Sequence, residues 1–314
     1  MAITGVAALD YDTVAYDQMA YYSFRPELYF DFMADVQPTN QSHVGSAVVF
    51  SIQNDLAVAA TALAETVDVT PATLSDSQVT VTLAEYGNAV TTTALVRGTS
   101  YLDLDPIVAN VIGYNAGISI DTVARNVVQA GTNVFYAGAA TSRGTVSATT
   151  LLTGNDVRKA KAKLRGNNIP TIGGSYLGVI HPDVAYDFTG ASGGANFRDP
   201  HTYSDPTEIW TGEIGMFEGI RFVEAPRAPL FATTAGVGAA GSTYRTLFMG
   251  RQALAKAYST VDGNGANPRV IPGPVVDSLR RFVPMGWYWL GGYGIFRQSA
   301  IYAVESESSI GVTA

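Results

Sequence analysis

The sequence predicts a mixed α+β fold, and three observations carry that expectation. Two short segments alternate apolar and small polar residues with the period of a strand. One long segment repeats its apolar residues with the period of a helix. Beyond Pro170 the chain breaks into short apolar runs separated by Gly and Pro turns.

Residues 1–22 are rich in Asp and Tyr (Asp10, Tyr11, Asp12, Tyr16, Asp17, Tyr21, Tyr22) and lack apolar periodicity. Such a stretch reads as an extended arm that needs a neighbour to hold it. Within 23–42, Phe24, Leu28, Phe32 and Val36 recur every four residues, Pro26 falls in the first turn and Pro38 closes the segment. A short amphipathic helix is expected there. Val48, Phe50 and Ile52 then alternate with Ala47, Val49 and Ser51, and Val79, Val81 and Leu83 alternate with Thr80, Thr82 and Ala84. These are two strands of one character. The stretch 54–77 between them has no capping pattern and little reason to join a core. A connection of that length is uncommon in a compact domain unless it is functional, and a long hairpin projecting onto another subunit accounts for it.

Asp103 and Asp105 ahead of Pro106 supply a capping carboxylate and negative charge at a helix start. Leu104, Ile107, Val108, Val111, Ile118, Val123, Val127 and Val128 carry a helical period to Gly131, with Gly113 and Gly117 lowering the local propensity. This is the longest helix expected. A second start, Thr153-Gly154-Asn155-Asp156, opens a basic helix with Arg158, Lys159, Lys161, Lys163 and Arg165, stopped by Gly166 and Asn167. Strands are expected at 176–180, 219–224, 244–249 and 298–304, with the loosest loops at 190–196 and 233–242.

Composition narrows the function classes. Charged residues make up 15% of the chain and hydrophobic ones 47%, against roughly 25% charged in an ordinary soluble domain. Subunit contacts are the simplest cover for such a surface. The formal charge of -8 and only four Lys argue against tight nonspecific nucleic-acid binding, so any DNA contact should be local and weak. Cys is absent, which removes disulfides and thiolate metal sites and fits cytosolic assembly. No basic stretch follows Met1, so no secretory signal is expected. Apolar stretches such as 282–296 are short for a bilayer and broken by Pro284, Gly286, Gly291 and Gly292, so no membrane partner is expected.

No motif points to catalysis, a cofactor or a metal. Gly190-Ala191-Ser192-Gly193-Gly194 fits a hydrolase elbow in spelling, but a poor helix start follows it, and His201 nearby has no positioned acid. The glycines of 236–241 match a dinucleotide fingerprint but lead into a strand through Ser242 and Thr243, not into a helix. His43, His181 and His201 lack ligand spacing. Pro182 after His181 instead reads as the first position of a short helix. Trp287, Tyr288 and Trp289 are expected to pack a terminal strand. The cluster from Arg158 to Arg165 reads as a solvated face, a DNA-side patch or a contact with acidic groups on a neighbour.

Several strings taken in order resemble the Hong Kong 97-like major capsid proteins of tailed bacteriophages. They are FRPELYFDFMADVQPT from Phe24, VTVTLAEYGNAV from Val79, LDPIVANVIGYNAGISIDTVARNVVQAGTNVFYAG from Leu104, GVIHPDVAYDF from Gly178, GEIGMFEGIRFVEAPRAP from Gly212 and GWYWLGGYGIFRQSAIYAVES from Gly286. The resemblance implies an N-terminal arm (1–22), a short helix (23–42), an extended β-hairpin loop (43–98) and a peripheral domain with a long spine helix (99–170). An axial domain (171–275) and a return to the peripheral domain (276–314) complete it. It also implies self-association into hexamers and pentamers of an icosahedral head around double-stranded DNA. Portal, scaffolding and cement proteins are further partners it implies, with assembly in the bacterial cytoplasm and residence in the virion. Some relatives carry a long charged N-terminal scaffold segment. Here Met1 stands about twenty residues before the first expected helix, so a separate scaffold or none is expected.

The residues expected between subunits are Asp55, Leu56, Leu63 and Glu65 on the loop and Tyr11 and Tyr16 on the arm. Arg158, Lys159, Lys161, Lys163 and Arg165 form the basic candidate. The loop keeps Asn54 and Asn88 but no Lys. The Lys–Asn cross-links that some members of the fold form are therefore not expected. The rival readings are a β-rich tail-tube or surface-layer protein, against which the long helix speaks, and a serine hydrolase using Ser192.

Overall fold

The computed structural model describes residues 29–310 apart from 32–33, 37–46, 54–55, 61, 64, 67, 70, 101–103, 148, 191–212, 233–241, 260–264, 275–276 and 280. In chain order the strands are β1 (Ala34–Val36), β2 (Ala47–Gln53), β3 (Asp76–Thr82), β4 (Ala84–Thr93), β5 (Val134–Tyr136), β6 (Tyr176–Ile180) and β7 (Glu213–Phe217). They continue with β8 (Ile220–Glu224), β9 (Leu230–Ala232), β10 (Ser242–Met249), β11 (Leu254–Tyr258), β12 (Arg269–Pro272), β13 (Phe282–Ile295) and β14 (Ile301–Ser306). The helices are α1 (Ala94–Thr99), α2 (Leu104–Gln129), α3 (Gly154–Gly166) and α4 (Pro182–Gly190).

Among the described residues the strands form three sheets. In a five-stranded sheet β13 pairs antiparallel with β4 on one edge and with β12 and β11 on the other, and β1 adds in parallel to β11. A seven-stranded sheet runs β5-β14-β10-β6-β8-β7, with β9 on β10. The hairpin of β2 and β3 stands apart, in register from Ala47 opposite Thr82 to Gln53 opposite Asp76. The sheets do not follow linear stretches of chain. β11 and β12 sit beside β13 in the first sheet, whereas β5 and β14, far from each other in sequence, meet in the second.

α2 lies against β13 and β4. Its 26 residues agree with the expected start at Asp105, but its buried stripe is not the one that the large apolar residues suggest. Ala109, Ile112, Gly113, Ala116, Gly117, Ile120, Ala124 and Val128 are buried, while Ile107 and Val111 are 42% and 57% exposed. Small residues win the inner face because they let the helix axis approach the sheet. By length and composition α2 could cross a membrane, a stretch that the sequence reading passed over. Its buried face is occupied by strands of its own chain, so it is a core helix.

Opposite that stripe, Trp287 and Trp289 of β13 are 4% and 0% exposed. Both indole N–H groups are satisfied: Trp287 Nε1 donates to Asn115 Oδ1 on α2 at 2.9 Å, and Trp289 Nε1 to the Gly265 carbonyl at 3.2 Å. Asn115 Oδ1 also accepts from Asn88 Nδ2 of β4 at 3.3 Å, so one amide ties helix, central strand and edge strand together. Each such ring contributes about 1.5–3 kcal/mol through its burial.

Two expectations are corrected. The helix placed at 23–42 is contradicted where the chain is described. Ala34–Val36 is a strand, in register with Leu254–Lys256, and Phe30, outside the four-residue phase, is fully buried. Parallel pairing with β11 satisfies that backbone in place of helical bonds. Phe24, Leu28 and Phe32 lie outside the described residues. The strand placed at 298–304 begins three residues late, because Gln298–Ala300 makes a 3₁₀ turn first.

The base of the hairpin is seated on a small core of its own, Phe50 and Val81 against Ala255 and Ala257. Gly292 and Gly294 of β13 make that seat possible. A Cβ on Gly292 would collide with the Thr82 carbonyl, and one on Gly294 would lie 2.7 Å from Val81 Cγ2. Gly292→Ala is expected to destabilise the subunit by about 1–3 kcal/mol in denaturant titration, since backbone must shift. Gly294→Ala should be milder, because the Val81 side chain is able to give way.

Candidate assembly surfaces

The hairpin is the first candidate. Its paired arms are regular, but residues 56–75 have no regular structure wherever they are described. Leu56, Val58, Leu63, Val69 and Leu74 are 53%, 91%, 76%, 55% and 81% exposed. Water contact for that many large apolar side chains is unfavourable in a solitary protein. Of the loop residues expected between subunits, Leu56, Leu63 and Glu65 stand exposed on this tip. Asp55 lies outside the described residues, as do Tyr11 and Tyr16 of the arm.

The segment at 29–31 meets the body through contacts that were not foreseen. Asp121, on the buried face of α2, accepts from the backbone N–H of Tyr29 at 2.9 Å and of Phe30 at 2.8 Å, both through Oδ1. Two residues on, Asp31 meets Lys256 Nζ at 2.5 Å and the hydroxyl of Tyr293. The Lys256 ammonium lies 5.6 Å from the ring centres of both Trp289 and Tyr293. The described residues 29–31 and 34–36 thus form a strap on the long helix and the central sheet, ending in β1. Two signals in the sequence point to it: Asp121 is the only charge between Asp105 and Arg125, and Lys256 stands alone in an apolar run.

Burial pushes the Asp121 carboxyl up to about 6, and the two backbone N–H groups and the nearby Arg227 and Arg125 only partly oppose it. Its Oδ2 is buried with no hydrogen-bond partner among the described residues. A protonated carboxyl fits that environment better than a charged one.

The basic helix α3 forms as expected. Thr153 and Asp156 make a reciprocal capping box, and Val157, Ala160 and Leu164 face the core. Its cations divide between two sides. Arg158 and Lys161 reach Glu218 at 3.1 and 3.6 Å, and Lys159 lies 5.6 Å from the Phe135 ring. Lys163 and Arg165 are exposed near the end of the helix. One turned-out helix with part of its charge already paired does not amount to a nucleic-acid groove.

A second concentration of charge is internal. The side chain of Glu305 is fully buried and accepts from Arg143 and Arg245, each at 2.6 Å. Those guanidiniums hold its carboxyl below the usual range against the cost of burial, and both lie over the Phe231 ring. This cluster fastens β14 to β10 and the loop after β5.

Of the other motifs weighed above, Ser192, the glycines of 236–241, His43 and His201 lie outside the described residues. Burial lowers the His181 imidazole below its ordinary value, with Asp183 opposing it in part, and its Nδ1 accepts from Asp183 N at 3.2 Å at the start of α4. That is the role of a helix cap. Among the described residues no group of His, Asp and Glu could hold a metal ion.

Known proteins resemble this architecture. The family described as phage capsid protein matches residues 30–310. The capsid of Ralstonia phage GP4 aligns with a TM-score of 0.73 at 16% identity, over 89% of this chain and 88% of that one. The Cyanophage Pam1 capsid gives 0.68 at 14% identity, over 91% and 92%. The capsid of Helicobacter pylori bacteriophage KHP30 gives 0.65 at 13%, over 90% and 91%. At such identities the structures establish a shared fold. No curated protein matches the chain.

The Asp121 clamp has a pH signature. Its folded value of about 6 lies above the ordinary 3.8, so folding takes up a proton between those values and stability falls as pH rises through them. On unassembled subunits, the unfolding free energy of the wild type relative to Asp121→Asn should rise by up to about 3 kcal/mol between pH 7 and pH 4. A difference that stays flat over that range would remove the buried-acid account.

Proposed function

This chain belongs to the phage capsid protein family, and from that premise we propose that it is the subunit that tiles an icosahedral head of the Hong Kong 97 lineage. It is a structural protein of the capsid and not an enzyme. In this reading hexamers and pentamers of the chain close around double-stranded DNA in the bacterial cytoplasm, and the finished subunit resides in the virion. Portal, scaffolding and cement proteins are the partners such a shell calls for.

The observation that carries the proposal is the hairpin tip with its five exposed apolar side chains. A tip none of whose described residues is buried at home gains stability by lying against another copy. The five-stranded sheet with α2 takes the part of the peripheral domain and the seven-stranded sheet that of the axial domain. The strap at 29–36 is where an arm spanning 1–22 would leave for a neighbour. DNA contact is confined to local patches such as Lys163 and Arg165, consistent with the formal charge of -8.

Negative-stain microscopy of the purified chain tests this directly: shells, rings or capsomers are expected, and an inert monomer would refute it. Replacing 54–75 by Asn-Gly, which joins Gln53 to Asp76 through a tight turn, should leave unfolding within about 1 kcal/mol of the parent but abolish closed shells. Boiled particles should run on a denaturing gel as one band near 33.1 kDa. The reason is that the four Lys lie at 159, 161, 163 and 256, and Lys256 is 2% exposed against Asp31. No amine stands on the hairpin to attack an Asn of a neighbour. A covalent ladder would overturn that account.

A further inference from the structure

Guanidiniums gather along the C-terminal half of α2 with few carboxylates to meet them. Arg227 donates to the Ile118 carbonyl at 3.4 Å and to Thr122 Oγ1 at 2.6 Å, and Arg125 donates to the Arg227 carbonyl at 3.2 Å and to Asn126 Oδ1 at 3.3 Å. Neither has an ion-pair partner among the described residues, and Arg125 Nε is buried with no acceptor. Asp121 lies close enough for both to lower its carboxyl, but its Oδ1 is spent on Tyr29 and Phe30. Burial and the charge of Arg227 push the Arg125 guanidinium below its ordinary value, the response of a cation that is short of anions. Asn126 leads from this pair to an open cavity of roughly 330 Å³, lined also by Gln129, Arg143, Phe231 and Arg245.

We propose that this cavity is a binding site for a phosphate-class oxyanion, free in solution or carried by a nucleic-acid strand. The inference stands apart from the shell reading, because every residue it uses belongs to one subunit. The lining is rich in donors that its own structure does not use up. Arg143 and Arg245 both bond Glu305 through Nε and Nη2, and Arg245 Nη1 covers the Gln129 carbonyl. Those five bonds leave about half of the guanidinium N–H groups without an acceptor among the described residues. Arg125 has only donors, so Asn126 meets it with Oδ1 and keeps Nδ2 to donate elsewhere. The carbonyls at the end of α2 would draw a cation if they were open. They are occupied: Val127 and Val128 accept from the backbone of Ala130 and Gly131, and Gln129 from Arg245. The donors are also held in place without an anion to hold them. The Arg245 side chain is 6% exposed, and the Arg143 and Arg245 guanidiniums lie 3.7 and 4.8 Å from the centre of the Phe231 ring. Asn126 comes from α2, Arg143 from the loop after β5 and Arg245 from β10. Donors on three separate elements suit a tetrahedral oxyanion, which accepts on all sides, better than a planar carboxylate.

Unassembled subunits near neutral pH test the site with inorganic phosphate as the probe. At fixed ionic strength, phosphate in place of chloride should raise the unfolding temperature along a saturating curve, and the phosphorus NMR line of the ion should broaden when protein is added. Asn126→Asp keeps an acceptor for Arg125 and sets a carboxylate in the cavity wall, so it should weaken phosphate binding about tenfold or more. Gln129→Glu is a second probe with the same expectation should Asn126→Asp fold poorly. A short DNA duplex then separates the two sources of the oxyanion. Displacement of inorganic phosphate by the duplex on the wild type assigns the site to a strand, and phosphate that stays bound beside the duplex assigns it to the free ion. Phosphate that neither raises the wild-type unfolding temperature nor broadens its own line overturns the proposal. So does binding that both folded variants retain at the wild-type strength, which would place the ion elsewhere on the surface.

Discussion

β13 is the strand on which the rest of the architecture depends, because both of its edges and one of its faces are used. One edge holds β4, from Phe282 opposite Thr93 to Gly291 opposite Ala84. The other holds β12 and then β11, and the inner face presents Trp287 and Trp289 to the long helix. Through β11 it holds β1 and the strap, and through Gly292 and Gly294 it holds the hairpin base. These pairings close long loops: Thr92 bonds Val283 across 191 residues. Chain entropy opposes them until burial compensates, so these pairings give the chain a high contact order, of the kind that slows folding.

The scarcity of charge takes on a meaning once the charges are located. Lys256 is paired with Asp31 under two aromatic rings, and Glu305 is clamped by Arg143 and Arg245. Buried pairs of this kind are weak sources of net stability, since desolvation offsets most of the attraction, but a broken pair is costly. They therefore specify arrangement: the first sets the strap in register on β11, and the second locks β14 to β10. With several charges used internally, few are left for the outer surfaces, and the stretch 54–75 keeps three carboxylates and no cation. That is the composition of surfaces covered by other copies rather than by water.

Legibility in the sequence followed the range of the interactions. Elements set by local pattern were readable, as with the alternation of the two hairpin strands, Asp105 with Pro106 at the long helix, and Thr153 with Asp156 at the basic one. The strand at 34–36 was not, because its backbone is satisfied by β11 some 220 residues away and its own residues carry no strand signal. The inward stripe of α2 was misjudged for a related reason. Residue size alone favours Val111 over Gly113, whereas the approaching sheet selects Gly113. Of the candidate surfaces, the loop was found through its lack of periodicity, which is a negative signal. The furrow on the outer sheet face was invisible, since Gly87, Gly286 and Ile271 become neighbours only through pairing.

The core is partitioned in a way that suits such a subunit. One cluster runs without interruption through both large sheets and their helices, while Phe50, Val81, Ala255 and Ala257 form a separate one under the hairpin. If the hairpin were rooted in the main core, any tilt of its arms would strain the body, because close-packed interiors transmit displacement. Rooted in Phe50 and Val81 on Ala255 and Ala257 over two glycines, the hairpin base is packed apart from the main core. A subunit that meets its neighbours at more than one angle, as closure of a curved shell demands, needs that freedom at the projecting element and rigidity in the body. On the proposed reading, the separation of the two clusters suits that demand.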